Sequence, residues 1–189
     1  MTNIIYTFSE NDSDLKQMLD LQKRNLARNL EAEELIDQGF VTADHSLELL
    51  AEMNLEGPHV IAKLGDQIVG YALVMTERFK MRLPVLVPMF NEIAAAIYKG
   101  KLLATYRYFV MGQICIDKPY RGKGVFRGLY KTMRKRFESD YDLVVTEISL
   151  RNPRSIRAHE KVGFETVHRY TSEVDNEDWV IVVWDWSKQ

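Results

Sequence analysis

Arg121-Gly122-Lys123-Gly124-Val125-Phe126 joins an apolar run, residues 106–117, to an amphipathic segment, residues 124–137. Glycines let the main chain approach a ligand with no Cβ in the way, and a helix beginning near Gly124 leaves its first N–H groups without intrahelical partners. The positive end of the helix dipole points the same way, so the turn suits a phosphate group. In the predicted helix Phe126, Leu129, Tyr130, Met133 and Phe137 share one stripe, which predicts core, while Lys123, Arg127, Lys131 and Arg134 share another. No acidic residue occurs in residues 118–137. A tight turn beside a solvated cationic face is the plainer reading of the same residues. The spacing is not that of a Walker loop, since no Lys-Ser/Thr pair opens the helix, and the dinucleotide glycine fingerprint is absent. Phosphates carried by some other ligand are therefore expected.

Outward from that turn, residues 106–117 predict a strand, 124–137 a helix and 143–149 a second strand, a unit that implies parallel or crossover pairing. Asn152-Pro153 supplies a helix cap followed by proline at the first helical position, and Lys161-Val162-Gly163-Phe164 reads as that helix's exit. Residues 165–174 and 179–186 flank a polar turn at 175–178 and predict a closing hairpin. Upstream, residues 3–8 predict a strand. Ser9, Asp12 and Ser13 offer caps for a helix carrying Leu15, Met18, Leu19, Leu26 and Leu30, and a short helix is expected at 46–53. Gly65-Asp66 separates two β-branched, apolar runs, 59–64 and 67–76, and predicts a hairpin. The pattern changes at 77–105, where a proline-containing linker precedes a helix-like stretch, 89–98, ending at Gly100.

With 189 residues, 46% of them hydrophobic, the chain has the size of one domain with a substantial core. A formal net charge of -2 gives no overall attraction to nucleic acid or anionic membrane, and neither is expected as a partner. The single cysteine, Cys115, lies in an apolar run, so no disulfide framework and no Cys-based metal site are expected. Residues 1–10 lack a basic start and a sustained apolar segment, and 83–98 is broken by Pro84, Pro88, Asn91 and Glu92, so a cytoplasmic location is expected.

Residues 106–186 resemble the GNAT superfamily of N-acetyltransferases. The family's loop pattern, Gln/Arg-x-x-Gly-x-Gly/Ala, is met by Arg121 and Gly124, with Phe126 departing at the last position. Asn152 through Phe164 is similar to the family's Asn…Tyr-Glu-Lys-x-Gly-Phe segment, with His159 where many members carry tyrosine. The resemblance implies an α/β (α+β) fold: a mixed, mostly antiparallel sheet with a splayed central parallel strand pair flanked by helices. Residues 1–189 would form one such domain with a helical insertion at about 77–105. It also implies acetyl-CoA as cosubstrate with no metal, and direct attack by a primary amine of a small molecule or peptide on the thioester in a ternary complex.

Carried over residue by residue, the resemblance assigns cofactor binding to Arg121, Gly122, Lys123, Gly124, Val125, Phe126 and Arg127. The backbone of Ile114, Cys115 and Ile116 is assigned to the pantetheine arm and the developing oxyanion, and Asn152 and Ser155 to further cofactor contacts. Glu147, amid apolar strand neighbours, is the expected general base, with an exposed strand glutamate as the alternative. His159 is the expected acid for the departing thiolate, with simple packing as the alternative. Asn152 is equally explained as a helix cap. Met89, Phe90 and Tyr98 of the insertion line the acceptor pocket, pack peripherally or form a homodimer contact on three readings left open. A non-catalytic acyl-CoA-binding regulatory module and a nucleic-acid binder using the cationic helix are the competing functions.

Overall fold

The computed structural model describes residues 3–31, 39–174 and 176–187. Among the described residues, strands β1 (Ile5–Phe8), β2 (Val60–Leu64), β3 (Gln67–Met75), β4 (Ile97–Tyr98), β5 (Lys101–Leu102), β6 (Tyr108–Ile116), β7 (Leu143–Ser149), β8 (Glu165–Ser172) and β9 (Glu177–Asp185) alternate with five α-helices. These are α1 (Asp12–Asn25), α2 (Leu47–Glu56), α3 (Val87–Ala95), α4 (Val125–Phe137) and α5 (Pro153–Glu160). Seven strands form one sheet in the order β1-β2-β3-β6-β7-β9-β8, and β4 with β5 makes a separate hairpin. The β6–β7 pair is parallel and its register covers Tyr108–Val110 against Leu143–Val145; the β1–β2, β2–β3, β7–β9 and β8–β9 pairs are antiparallel. The chain divides into two compact units, Met1–Met75 with Met111–Arg136 and Thr76–Val110 with Phe137–Gln189.

In the first unit Asn11, rather than Ser9, Asp12 or Ser13, caps α1, its side chain accepting from the Asp14 N–H at 3.0 Å. Asp12 and Asp14 in the first turn and Lys23 and Arg24 in the last complement the helix dipole. Leu15, Met18, Leu19 and Leu21 bury one side of α1, and Asp14, itself buried, pairs with Lys63 Nζ of β2 at 2.6 Å. The helix stops at Asn25, short of Leu26 and Leu30, because the local backbone bonds elsewhere: Ala27 N–H donates to Val41 O and Val41 N–H to Asn25 O. Gly65, at φ 61, turns the β2–β3 hairpin where the Gly-Asp pair predicts it.

In the second unit Phe109, fully buried, packs its ring 5.3 Å from Phe137, 5.0 Å from Tyr141 and 5.9 Å from Trp186. Truncation of such a side chain to alanine costs about 3–5 kcal/mol. The 77–105 segment contains 3-10 turns, α3 and the β4–β5 hairpin. Its helix ends at Ala95, not near Tyr98, because Lys99 (φ 47) and Gly100 (φ 77) close a two-residue hairpin turn. Met89, Phe90 and Tyr98, offered by the sequence as a pocket lining, are buried. Tyr98 donates to Glu165 at 2.5 Å and to Asp185 at 3.1 Å. Burial, helped by those two carboxylates, pushes the phenol well above its usual range. Among the described residues no helix is long and apolar enough to cross a membrane.

Candidate functional site

At the end of β6 Asp117 turns the chain. Its N–H donates to Val69 O on β3 at 2.9 Å, and its carboxylate accepts from the Lys118 N–H at 3.0 Å, capping a single 3-10 turn, Lys118–Tyr120. Gly122 at φ 74 and Gly124 at φ 83 then reverse the backbone in the left-handed region. The Gly128 N–H bonds to Gly124 O at 3.0 Å, so the N–H groups of Val125, Phe126 and Arg127 belong to the first turn of α4, which has no intrahelical acceptors for them. No atom lies within 4 Å of where a Cβ would stand on Gly122 or Gly124, so these glycines answer to φ and the space above them is open. Exposed Lys123 in the turn and exposed Arg127 and Lys131 in the first two turns of α4 add positive charge to this end of the helix. Its chemistry fits a diphosphate: main-chain donors, a helix dipole, cations and no carboxylate in residues 118–137.

Several contacts fix the turn from below. The Arg121 guanidinium, expected among the cofactor contacts, fastens the loop to the protein, donating from Nε to Ile116 O at 2.9 Å and from Nη2 to Asn25 Oδ1 at 2.6 Å. Asn25, the last residue of α1, is buried and anchored by its own Nδ2 to Leu21 O at 2.8 Å. On β3 a Cβ at Gly70 would meet Val125 Cγ1 at 3.2 Å, and one at Gly128 would fall 2.1 Å from Tyr6 Cζ, so both glycines seat α4 against its neighbours. The buried stripe of α4 runs Val125, Leu129, Tyr130, Met133 and Phe137. Phe126, assigned to that stripe by the sequence, is half-buried and meets Tyr130 ring to ring at 5.1 Å. The i, i+4 ladder from Val125 occupies the core position instead.

Along β6, Ile114 and Ile116 are half-buried while Gln113 and Cys115 are buried. Burial pushes the Cys115 thiol up to about 12, so it is protonated at neutral pH and is no nucleophile. Gln113 belongs to a buried network that the sequence reading missed. Tyr71 OH donates to Gln113 Oε1 at 2.5 Å, Gln22 Nε2 donates to the same oxygen at 2.7 Å, and Gln113 Nε2 donates to Ala43 O at 2.8 Å. The His45 N–H donates to Gln22 Oε1 at 3.0 Å, which fixes the amide's orientation, and Gln22 Nε2 lies 2.8 Å from His45 Nδ1. Gln22 and Asn25 sit at helical spacing from Leu15, Met18 and Leu21, and polar residues on that stripe were the available signal.

In the second unit Asn152 Oδ1 accepts from the Ser155 N–H at 3.1 Å, the cap expected for α5. His159 is buried, its ring edge-on to Phe164 at 5.0 Å, with Nδ1 2.8 Å from Ser155 O and 3.3 Å from Ser155 Oγ. A carbonyl acceptor places the proton on Nδ1. Desolvation pulls the ring's pKa down to about 4, so at neutral pH it is a neutral imidazole rather than the imidazolium acid expected from sequence. Gly163 at φ 119 lies where a Cβ would meet Trp184 Nε1 at 2.9 Å, which explains glycine in the helix exit. Glu147 is half-buried on β7 and accepts a hydrogen bond from the Tyr170 hydroxyl of β8. Among the described residues no group of three or more His, Cys, Asp or Glu is arranged to hold a metal ion.

This fold is shared with solved acetyltransferases. The ribosomal-protein-S18-alanine N-acetyltransferase of Escherichia coli is 14% identical over 97% of this chain and 94% of its own, with a TM-score of 0.62. The protein yncA of Salmonella typhimurium, solved with its cofactor acetyl-CoA, is 14% identical over 98% and 95%, with a TM-score of 0.63. A chain of the NatC complex bound to Gag peptide and CoA is 14% identical over 97% and 98%, with a TM-score of 0.63. No curated protein sequence matches the chain. Residues 24–164 match the Acetyltransferase (GNAT) family, a stretch that contains β3, β6, the glycine turn, α4, β7 and α5. By that match over most of its length, the chain belongs to the GNAT family of acetyltransferases.

Proposed function

We propose that this protein transfers the acetyl group of acetyl-CoA to a primary amine of a small molecule or peptide, by direct attack in a ternary complex, with residues 1–189 working as one catalytic domain. The observation that carries the reading is the pair of left-handed glycines, Gly122 and Gly124, with open space at both Cβ positions, leading directly into the first-turn N–H groups of α4. The N–H groups at residues 124–127 hold the diphosphate, with Lys123 and Arg127 adding charge from the rim. Arg121 acts by holding the loop through Asn25 and Ile116. Main-chain groups of Ile114, Cys115 and Ile116 take the pantetheine arm and steady the oxyanion. Family members solved with acetyl-CoA and with CoA support the choice of ligand.

An amine that is ammonium in water must lose a proton before it attacks. Glu147 is assigned that task, and its carboxylate is already held by one hydroxyl. His159, neutral and fixed by Ser155, packs the end of α5, and the departing thiolate takes its proton from solvent or the acceptor. Thiol release from acetyl-CoA, followed across a panel of primary amines, tests the proposal. Amine-dependent release is expected. Saturable acetyl-CoA binding with no release for any amine would favour the regulatory acyl-CoA-binding module instead.

A further inference from the structure

The last hairpin carries an irregularity that the acetyltransfer reading leaves unused. Thr166 pairs with Val182, but His168 pairs with Ile181, Arg169 with Val180 and Tyr170 with Trp179, so one extra residue is inserted between Thr166 and His168. A one-residue slip in a strand sends every later side chain to the opposite face. Without the bulge His168 and Tyr170 would share the face of Val180 and Val182. With it they stand on the face of Trp179 and Ile181, which the β7–β9 register also gives to Ser149 and Glu147. The bulge thus brings His168 and Tyr170 to the side of the sheet that carries Glu147.

Three contacts then link the insertion to that carboxylate. Glu92 of α3 lies with Oε2 2.8 Å from His168 Nε2. The His168 ring lies parallel to that of Tyr170, with centroids 6.3 Å apart and planes 14° apart. The Tyr170 hydroxyl donates to Glu147 Oε2. On the same face, Glu177 accepts from Ser149 Oγ and pairs with Arg151 at the end of β7, so the charged and titratable groups that α3, β8, β9 and the end of β7 bring to this side of the sheet include Tyr170, His168, Glu92, Glu177 and Arg151. Arg151 donates to Glu177, whereas the Tyr170 hydroxyl donates to Glu147.

We propose that Tyr170 is a positioning residue for Glu147, and that Glu92 of the inserted helix, acting through His168, holds Tyr170 in place. The insertion thereby gains a function, that of buttressing the base from outside the strand that bears it. The inference rests on Glu147 being the base. Tyr170 supplies a hydrogen bond that favours the ionised carboxylate and fixes the oxygen it touches, while the imidazole and Glu92 limit the ring's movement.

The test uses the full chain labelled with carboxyl-13C glutamate, the Glu147 signal being assigned by its loss in Glu147→Gln. In Tyr170→Phe, which keeps the ring, the Glu147 titration midpoint should rise by about one pH unit. Glu92→Gln and His168→Gln should move it in the same direction by less, and acetyl-CoA affinity should be unchanged in all three, which also certifies their folding. An unmoved midpoint in Tyr170→Phe, with Glu147→Gln still inactive in the amine panel, would overturn the positioning role and leave the base in place. Full turnover in Glu147→Gln would remove the base, and the positioning role with it.

Discussion

The glycine turn before α4 and the sheet face that carries Glu147, Tyr170 and His168 are built by opposite means. At the turn the chemistry is main chain: left-handed glycines at 122 and 124, the first N–H groups of a helix, and side chains such as Arg121 that act by holding the backbone still. On that sheet face the chemistry is side chain, with a carboxylate, a phenol and an imidazole brought together from segments more than 20 residues apart, Tyr170 reaching Glu147 and His168 meeting Glu92. A main-chain site needs only a local sequence with the right φ values. A side-chain site needs the register of a sheet, and one inserted residue decides which face it occupies. Substitution should therefore act on coenzyme affinity in the first region and on turnover in the second.

Acid gives the largest expected effect. His45 and His59, both buried in the first unit, have pKa values pulled down to about 4 by desolvation, as does His159 in the second. The unfolded chain binds these protons near pH 6.5 and the native chain does not. Each group's contribution is therefore complete above about pH 6.5 and is lost as pH falls toward 4, on the order of 3 kcal/mol per histidine. Amide hydrogen exchange, corrected for intrinsic rate, should show the first unit losing more protection than the second between pH 7 and pH 4.5. Equal loss in the two units would contradict it.

Next in size, Glu147→Gln should lower turnover at neutral pH by about 100-fold or more while leaving the acetyl-CoA dissociation constant unchanged. A matching fall in affinity would mean that the two regions do not divide the work. Smallest is Asn25→Ala, which releases one anchor of Arg121 and should weaken acetyl-CoA binding a few-fold, with turnover at saturation preserved. Titration calorimetry and thiol-release kinetics measured side by side read both quantities.

What could be read from the sequence follows the same division. Strand 143–149 is found as Leu143–Ser149, Asn152 caps α5 with Pro153 behind it, and Gly65 turns the β2–β3 hairpin, because each is written in local periodicity and turn chemistry. The glycine turn was legible for that reason. Hidden from the sequence were the partner of Arg121, the end of α1 at Asn25, the β4–β5 hairpin and the bulge after Thr166, all decided by what the chain meets elsewhere. His159 was placed correctly on α5, but its protonation state depends on burial, which no local pattern reports.

Calorimetric titration of the wild-type chain and of Gly124→Ala with acetyl-CoA goes straight to the main-chain cradle. Alanine at φ 83 is strained by about 1–2 kcal/mol although open space surrounds its Cβ, so the free variant's turn relaxes out of the left-handed region and binding must restore it; the wild type should bind saturably and the variant about tenfold or more weakly, with the rest of the fold retained. Equal affinity in the two proteins, or no heat from the wild type, would contradict a diphosphate seated on the backbone of this turn.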